Sequence, residues 1–331
     1  MSDATALNKS RRSAELAEIG DGNSVDVLVI GGGITGVGIA LDAATRGLSV
    51  ALVEKHDLAF GTSRWSSKLV HGGLRYLATG NVGIARRSAV ERHILMTRNA
   101  PHLVHAMPQL VPLLPDMSRA SRALVRVGFA AGDGLRRLAG TSAATLPRSR
   151  RVDARRAVEL APTVRIDGLD GALLAYDGQL IDDARLVTAV ARTAAQNGAK
   201  ILTRGAASDA SGTSVTLTDT ETGESMTVAA RAVVNATGVW TDEIQALSKQ
   251  RGRFRVRASK GVHVVVPRDR IVSEVAIILR TEKSVLFVIP WGTHWIIGTT
   301  DTDWNLDLAH PAATKADIDY ILGTVNTVPA T

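Results

Sequence analysis

Apolar and polar positions fall into a distinct pattern from residue 25 onward. Residues 25–30 are a short, β-branched and nearly continuous apolar run, which is typical of a strand buried on both faces of a parallel sheet. A helical stretch over residues 37–46 follows, and Gly47 is suited to end it. A second apolar run, residues 49–53, then ends at Glu54. This succession predicts a parallel βαβ unit of Rossmann type.

The turn between the first strand and the helix matches the dinucleotide-binding pattern G-x-G-x-x-G. Its predicted cofactor contacts are Gly31, Gly33, Ile34, Thr35 and Gly36. The first glycine permits a tight turn, the second lets the backbone approach a pyrophosphate, and the third lets helix and strand pack closely. The N–H groups at the helix start favour phosphate oxygens. Glu54, 18 residues past the last glycine, can accept hydrogen bonds from both ribose hydroxyls, which favours FAD or NAD over NADP.

Later segments indicate that the chain returns to the same sheet after an insertion. A helix is expected from Asp182 to Gly198, followed by a strand over 200–203 and by a hairpin around Thr222-Gly223. We therefore expect an α/β dinucleotide-binding domain over 25–80 plus 180–248. A mixed-sheet, α+β substrate domain is expected over 81–179 plus 249–331. The polar and small residues 1–24 predict a disordered tail.

Composition excludes several classes of function. The chain of 331 residues contains no cysteine, so a disulfide scaffold, a thiolate zinc site, an iron–sulfur cluster and a cysteine nucleophile are excluded. His93, His102 and His105 have no carboxylate at ligand spacing, so we expect no metal. The net charge of +7 favours anionic partners, whereas aromatic residues at 4% are too sparse for a protein that stacks on nucleic-acid bases.

The segment after Glu54 indicates which group of dinucleotide-binding proteins the chain resembles. Residues 61–77 mix small hydroxyl side chains, glycines and cations without a clear period, as expected of a loop that approaches a ligand closely. The string SSKLVHGGLRYL at 66–77 resembles the FAD-dependent glycerol-3-phosphate dehydrogenases. That family is a branch of the flavoprotein group with the FAD-binding fold of D-amino-acid oxidase, also called the glutathione-reductase-2 type.

Three later segments agree with the resemblance in the same order. Residues 233–240 resemble the second flavin-contacting strand and turn, 260–267 resemble the KGxHxVVP strand, and 288–301 resemble the IPW…GTTD hairpin. Members of the family continue beyond the point that corresponds to Thr331, with an arginine turn and a glycine–lysine loop. We therefore expect a truncated chain, and a non-catalytic FAD-domain fragment is an alternative to an active dehydrogenase.

The resemblance implies FAD as the cofactor and assigns further contacts to it. These are Lys55, Thr62, Ser63, Ser66, Ser67, Lys68, Leu69, His71, Gly72, Gly73, Ala207, Ala236, Thr237 and Gly238. It also implies the reaction, which is oxidation of sn-glycerol 3-phosphate to dihydroxyacetone phosphate in glycerol and glycerophospholipid metabolism. The electrons pass to quinone, or to oxygen if the protein is an oxidase.

The substrate needs a cation for its phosphate and a group that accepts its hydroxyl proton. Arginine binds a phosphate dianion through two parallel N–H bonds, so Arg75 is the best candidate, with Tyr76 adding a hydroxyl. The alternative for Arg75 is a salt bridge that anchors the loop. Lys260 adds charge near the flavin or the phosphate, or else ends a strand in solvent. His71 is a proton acceptor, a flavin contact or a loop cap.

Residues 118–139 predict a basic amphipathic helix, because five arginines and one acid alternate with large apolar residues. An ordinary surface helix gives the same pattern. The family resemblance favours a membrane surface, so we expect a cytoplasmic protein bound peripherally to the inner face of the plasma membrane. The expected partners are glycerol 3-phosphate, quinone and anionic lipid, without nucleic acid, and a homodimer is compatible with them.

Overall fold

The computed structural model of the chain describes residues 3–20, 22–73, 76–77, 79–115, 117–248, 252, 255–281 and 285–327, with the side chains of Asp3, Arg119 and Ser121 set aside. The α-helices are α1 (Lys9–Gly20), α2 (Ile34–Thr45), α3 (Val82–Ile94), α4 (Arg119–Leu138), α5 (Ala154–Leu160), α6 (Asp183–Gln196), α7 (Thr241–Leu247) and α8 (Lys315–Val325). Single turns of 3₁₀-helix cover Asp3–Thr5, Thr62–Arg64, Gly238–Trp240 and Arg268–Arg270, and a π-helical turn covers Leu95–Asn99.

The strands up to the middle of the chain are β1 (Val25–Ile30), β2 (Val50–Val53), β3 (Leu69–Val70), β4 (Val104–Pro112), β5 (Arg150–Val152), β6 (Ala172–Leu180), β7 (Lys200–Leu202) and β8 (Gly205–Ala210). The later strands are β9 (Ser214–Asp219), β10 (Ser225–Asn235), β11 (Ser259–Lys260), β12 (His263–Pro267), β13 (Ala276–Arg280), β14 (Val285–Trp291), β15 (His294–Gly298) and β16 (Thr302–Asp303).

The first unit comprises Met1–Ser66, Asp182–Ala258 and Trp304–His310. Its sheet has the strand order β7-β2-β1-β10-β9-β8. The first four strands of this order are parallel, and β8, β9 and β10 form an antiparallel meander. In β1, Val29 packs among residues of α2 and α6, whereas Leu28 and Ile30 belong to the core on the opposite face. Burial on both faces explains why this strand is apolar at consecutive positions.

The N-terminal segment is helix α1 in the structure, in place of the expected disordered tail. Ile19 is 1% exposed in the core beside the sheet, and the Arg12 guanidinium donates to Asp219 at 3.0 Å. Glu15 is buried with Arg11 at 2.6 Å, and burial raises the pKa of its carboxyl. Arg12 and Glu15 form hydrogen bonds with residues about 190–210 positions later in the chain. The local polar composition of the segment could therefore not predict that these two residues fix a helix in place.

The second unit comprises Ser67–Ile181, Ser259–Asp303 and Pro311–Thr331. Its main sheet has the order β12-β15-β14-β13-β4-β6-β3, with β5 paired to β6. One face carries a core that includes Leu110, Leu174 and Trp295, on which α5 and α8 pack through Leu160 and Ile321. The other face carries Met107 and Ile289, and α4 packs at one end of it.

The boundaries of the two units can be set beside those expected from the sequence. The chain leaves the first unit after Ser66 rather than near residue 80, and it re-enters at Asp182. A later stretch, Trp304–His310, also belongs to the first unit. The α/β architecture of the first unit agrees with the expected fold class. Its helix α2 begins at Ile34 and includes Gly36 in its first turn.

None of the helices in the described ranges is both long enough and apolar enough to span a bilayer.

Candidate active site

The glycine turn of the first unit has the backbone geometry that its sequence predicts. Gly31 has φ +114°, and a Cβ at this position would lie 2.6 Å from the Ala236 carbonyl oxygen. At Gly36 a Cβ would lie 1.8 Å from the Gly31 carbonyl oxygen. Both positions need glycine, because a side chain would collide with a second backbone segment. Without side chains, the turn at the start of α2 leaves its backbone open to a ligand.

Glu54 lies at the end of β2 beside this turn. Its carboxylate accepts hydrogen bonds from the backbone N–H of Gly32 at 2.7 Å and of His56 at 2.8 Å, one at each oxygen. An ionised carboxylate offers about four acceptor sites, so both oxygens retain capacity for the hydroxyls of a ribose. Lys55, predicted as a cofactor contact, is exposed next to it.

The segment after β10 lies against the glycine turn. The Ala236 N–H donates to the Ile30 carbonyl at 2.8 Å, and the Thr237 hydroxyl donates to the Asn235 side chain at 2.7 Å. Gly238 has φ +58° and begins the next 3₁₀ turn. These residues follow a parallel strand adjacent to β1, at the sheet edge where α/β folds bind nucleotides. Ala207 is half-buried in β8, opposite Leu217.

The first hydroxyl residues of the predicted loop also reach the start of α2. Ser63 accepts a hydrogen bond from the Ile34 N–H at 3.0 Å, and a Cβ at Gly33 would lie 3.1 Å from the same hydroxyl. Ser66 donates through its hydroxyl and its N–H to Asp183 at the start of α6. Ile34, Thr35 and Thr62 are exposed. The glycine turn, Glu54 and these exposed positions fit the adenosine diphosphate part of FAD.

In the second unit the loop continues with Ser67, whose hydroxyl lies 2.8 Å from His263 Nε2. Lys68 is a buried lysine with φ +58°, and its ammonium lies 5.4 Å from the Trp291 ring centre. Leu69 pairs with Gln179 in the sheet. The strained and buried conformation of Lys68 indicates a segment that its surroundings hold in one geometry.

His71 lies beside the buried ion pair of Asp177 and Arg92. Its Nδ1 lies 3.3 Å from Asp177 Oδ2, while 57% of its side chain is exposed. Asp177 also accepts from the Gly72 N–H at 3.1 Å and from the buried Arg92 guanidinium at 2.5 Å. Burial alone would raise the pKa of the Asp177 carboxyl, but the hydrogen bond from His71 and the charge of Arg92 outweigh it and hold this pKa below its ordinary value.

The predicted substrate ligands differ in their surroundings. Lys260 is buried, and its ammonium donates to Asp317 at 2.6 Å and to the Ala312 carbonyl at 3.0 Å, which indicates a structural role. Tyr76 is exposed, and its N–H donates to the Gly73 carbonyl, where Gly73 has φ +85°. Arg75 lies outside the described residues. In the described part of the chain no three His, Asp or Glu side chains are grouped to hold a metal.

The family is decided by the match to a family model. Residues 26–328 match the model described as FAD dependent oxidoreductase. The chain belongs to this family. FAD is therefore the cofactor of the family to which the chain belongs. This confirms the fold class expected from the glycine turn and the cofactor expected from the family resemblance.

One protein similar to this chain is Glycerol-3-phosphate dehydrogenase 1 of Mycobacterium tuberculosis, which is 62% identical over 337 residues that cover 100% of this chain and 64% of that protein. Aerobic glycerol-3-phosphate dehydrogenase of Staphylococcus haemolyticus is 37% identical and covers 91% of this chain and 54% of its own length. The crystal structure of the glycerol-3-phosphate dehydrogenase of Bacillus halodurans complexed with FAD has a TM-score of 0.75 at 30% identity, over 96% of this chain and 55% of that one. The chain thus spans about half to two thirds of these relatives.

Several partners of the predicted site residues could be identified only in the structure. Asp177 and Arg92 complete the surroundings of His71, and Asp183 and Asp317 hold Ser66 and Lys260. Asp177 can be noticed in the sequence as the one acidic residue of the mostly apolar strand β6. A buried strand rarely contains an unpaired charge, so such an acid signals a partner elsewhere in the chain.

Proposed function

We propose that the protein is a FAD-dependent sn-glycerol-3-phosphate dehydrogenase, which oxidises the secondary alcohol of glycerol 3-phosphate to a ketone. The observation that carries this proposal is the 62% identity, over the full chain, to a protein named glycerol-3-phosphate dehydrogenase. The glycine turn, Glu54 and the family match supply the cofactor class on independent grounds.

Cofactor and chain divide the work of alcohol oxidation. FAD, when bound, supplies the acceptor for the hydride from the substrate carbon. The residues that would hold it in the first unit are those of the glycine turn, Glu54 and the segment from Ala236 to Gly238. The chain itself must accept the hydroxyl proton, and His71 is the exposed imidazole next to Gly72 and Gly73.

Reduction of the bound flavin by glycerol 3-phosphate, compared between wild type and two histidine variants, tests this function. We expect the purified protein to retain FAD and anaerobic glycerol 3-phosphate to bleach its visible absorbance. His71→Gln is expected to slow the bleaching by about 10²–10⁴-fold, the usual contribution of a general base, without loss of FAD. His102→Gln changes an exposed histidine of the same unit and should leave the rate unchanged.

The two parts of the result separate cofactor from substrate. A protein that binds FAD but is not bleached by glycerol 3-phosphate would overturn the proposed substrate while keeping the cofactor. Equal rates for wild type and His71→Gln would overturn the role of His71 alone.

We also propose that the protein acts on the surface of a membrane containing anionic lipid and passes its electrons to quinone there. Helix α4 supports the membrane part of this proposal, because Leu124, Val127 and Leu138 are 70%, 65% and 71% exposed on it. At 100° per residue these three lie within one narrow stripe of the helix, and Arg126 and Arg137 are exposed along one side of it. Exposed large apolar side chains next to arginines are typical of a helix that lies in the lipid headgroup region.

Flotation with vesicles that contain phosphatidylglycerol tests the lipid proposal. The double variant Leu124→Glu/Val127→Glu is expected to lower the partition into vesicles by about tenfold or more, because two apolar anchors are lost and two negative charges are added. Raising the salt concentration should weaken wild-type binding as well. Leu306→Glu, at a residue 68% exposed in the first unit, is the control and should bind like wild type. Equal binding of all three proteins would contradict the docking of α4.

A further inference from the structure

Asp177 occupies an unusual position for an ionised carboxylate. It lies in the middle of β6, directly opposite Met107 of β4, and it is buried. Its Oδ1 accepts three hydrogen bonds, from Arg92 Nη1 and from the N–H groups of Gly72 and Gly178. Its Oδ2 faces Nδ1 of His71 at 3.3 Å. One oxygen is thus held by fixed donors, and the other is directed to the imidazole.

The backbone around Asp177 leaves room for the guanidinium of Arg92. A Cβ on Gly72 would lie 2.0 Å from Arg92 Nη1, and a Cβ on Gly178 would lie 3.4 Å from Arg92 Cγ. The side chains of Arg92 and Asp177 are only 6% and 10% exposed. Such a buried ion pair is weak evidence for stability, since apolar residues of similar volume often stabilise a fold as well or better. We therefore expect the Arg92–Asp177 pair to have a role other than stabilising the fold.

The geometry points to control of the His71 tautomer. An ionised carboxylate only accepts hydrogen bonds, so a neutral His71 must carry its proton on Nδ1, facing Asp177. Its Nε2 then bears the lone pair, on a ring that is more than half exposed. The ring of Phe287 is a neighbour of this imidazole, with the two ring centres 6.2 Å apart.

We propose that Asp177, fixed by Arg92, is a positioning residue that keeps Nε2 of His71 ready to accept the hydroxyl proton of the substrate. This inference rests on the proposed alcohol oxidation. In the step, the substrate O–H bond breaks, an Nε2–H bond forms and the imidazole becomes an imidazolium next to the Asp177 carboxylate. The substrate C–H bond breaks with loss of a hydride, for which FAD, when bound, would supply the acceptor, so the balance needs no further reactant.

Asp177→Asn tests the positioning with little change of shape. The three donors at Oδ1 require an acceptor there, so the carboxamide oxygen must take that place. Its NH₂ group then occupies the place of Oδ2 and donates to Nδ1 of His71. The variant is therefore expected to move the imidazole proton from Nδ1 to Nε2 and to remove the proton acceptor.

The tautomer can be read by NMR in the apoprotein, independently of activity. The full chain is labelled with ¹⁵N-histidine, and His71 is assigned among the eight histidines by its loss in His71→Gln. Above the ordinary titration range of histidine, wild type should show a protonated Nδ1 and a bare Nε2. Asp177→Asn should show the reverse, and its kcat should fall about 10²–10⁴-fold with retained FAD and a nearly unchanged KM.

Asp170→Asn is the matched control, because Asp170 is also paired with arginines but is 52% exposed. It should leave the His71 signals and kcat unchanged. A bare Nδ1 in wild type would overturn the inference even if Asp177→Asn fails to fold. An unchanged tautomer in Asp177→Asn, or a reversed tautomer with unchanged kcat, would overturn it as well. Wild type without turnover would count against the proposed function, and the tautomer would still test Asp177.

Discussion

Gly36→Ala is expected to abolish the retention of FAD. The added methyl carbon would lie 1.8 Å from the Gly31 carbonyl oxygen, which belongs to the backbone and cannot rotate away. Gly31 is itself held, since its N–H donates to the Val53 carbonyl at 2.8 Å. Helix α2 must therefore move away from β1, which opens the turn that would hold the pyrophosphate. We expect a loss of about 1–3 kcal/mol in the free energy of unfolding in addition.

Gly38→Ala is the matched control in the same helix. A Cβ at Gly38 meets no atom within 4 Å, so the substitution should be tolerated. Alanine is the better helix former by about 1 kcal/mol, so this variant should be slightly more stable than wild type. Visible absorbance per mole of protein measures the bound FAD, and thermal unfolding measures stability. Equal FAD content in the two variants would show that the glycine turn does not hold the cofactor as described.

Lys260→Met is expected to destabilise the protein by about 3–5 kcal/mol, because it leaves the buried Asp317 without its cation. The two side chains are 5% and 4% exposed, and their charged atoms lie 2.6 Å apart. Asp317 also accepts from the N–H and hydroxyl of Thr314 in the capping box of α8. Lys315→Met removes an ion pair from the same helix whose partners are 87% and 58% exposed. This control should cost less than about 1 kcal/mol in urea unfolding.

The effect of Lys260→Met should depend on pH. Burial would raise the pKa of Asp317, but Lys260 and the hydrogen bonds from Thr314 outweigh it and hold this pKa below its ordinary value. A carboxyl with a lowered pKa stabilises the fold above its ordinary pKa, and the stabilisation is lost as the pH falls through the folded-state value. The difference between wild type and Lys260→Met should thus shrink in acid. A stability equal to wild type, with a raised KM for glycerol 3-phosphate, would instead assign Lys260 to the substrate.

The sequence predicted best those parts of the fold that are fixed by residues close to one another along the chain. The βαβ unit depends on the apolar run of β1, the glycines of the turn and the positive φ of Gly47, all within about 30 residues. Helix α4 also follows its sequence pattern closely, from Arg119 to Leu138. In contrast, α1 is stabilised by residues far along the chain, and its polar composition gave no sign of them.

The sequence by itself determined the dinucleotide-binding fold and, with it, a dinucleotide as the class of cofactor. It could do so because the steric limits on a backbone turn act between residues that are near neighbours in the chain. It also nominated His71 and Lys260 as functional residues. Only the tertiary structure decided their surroundings, since it places Asp177 beside His71 and Asp317 beside Lys260 from 106 and 57 positions away. The charge state and orientation of a buried group depend on neighbours that long-range packing supplies, and no local pattern encodes them.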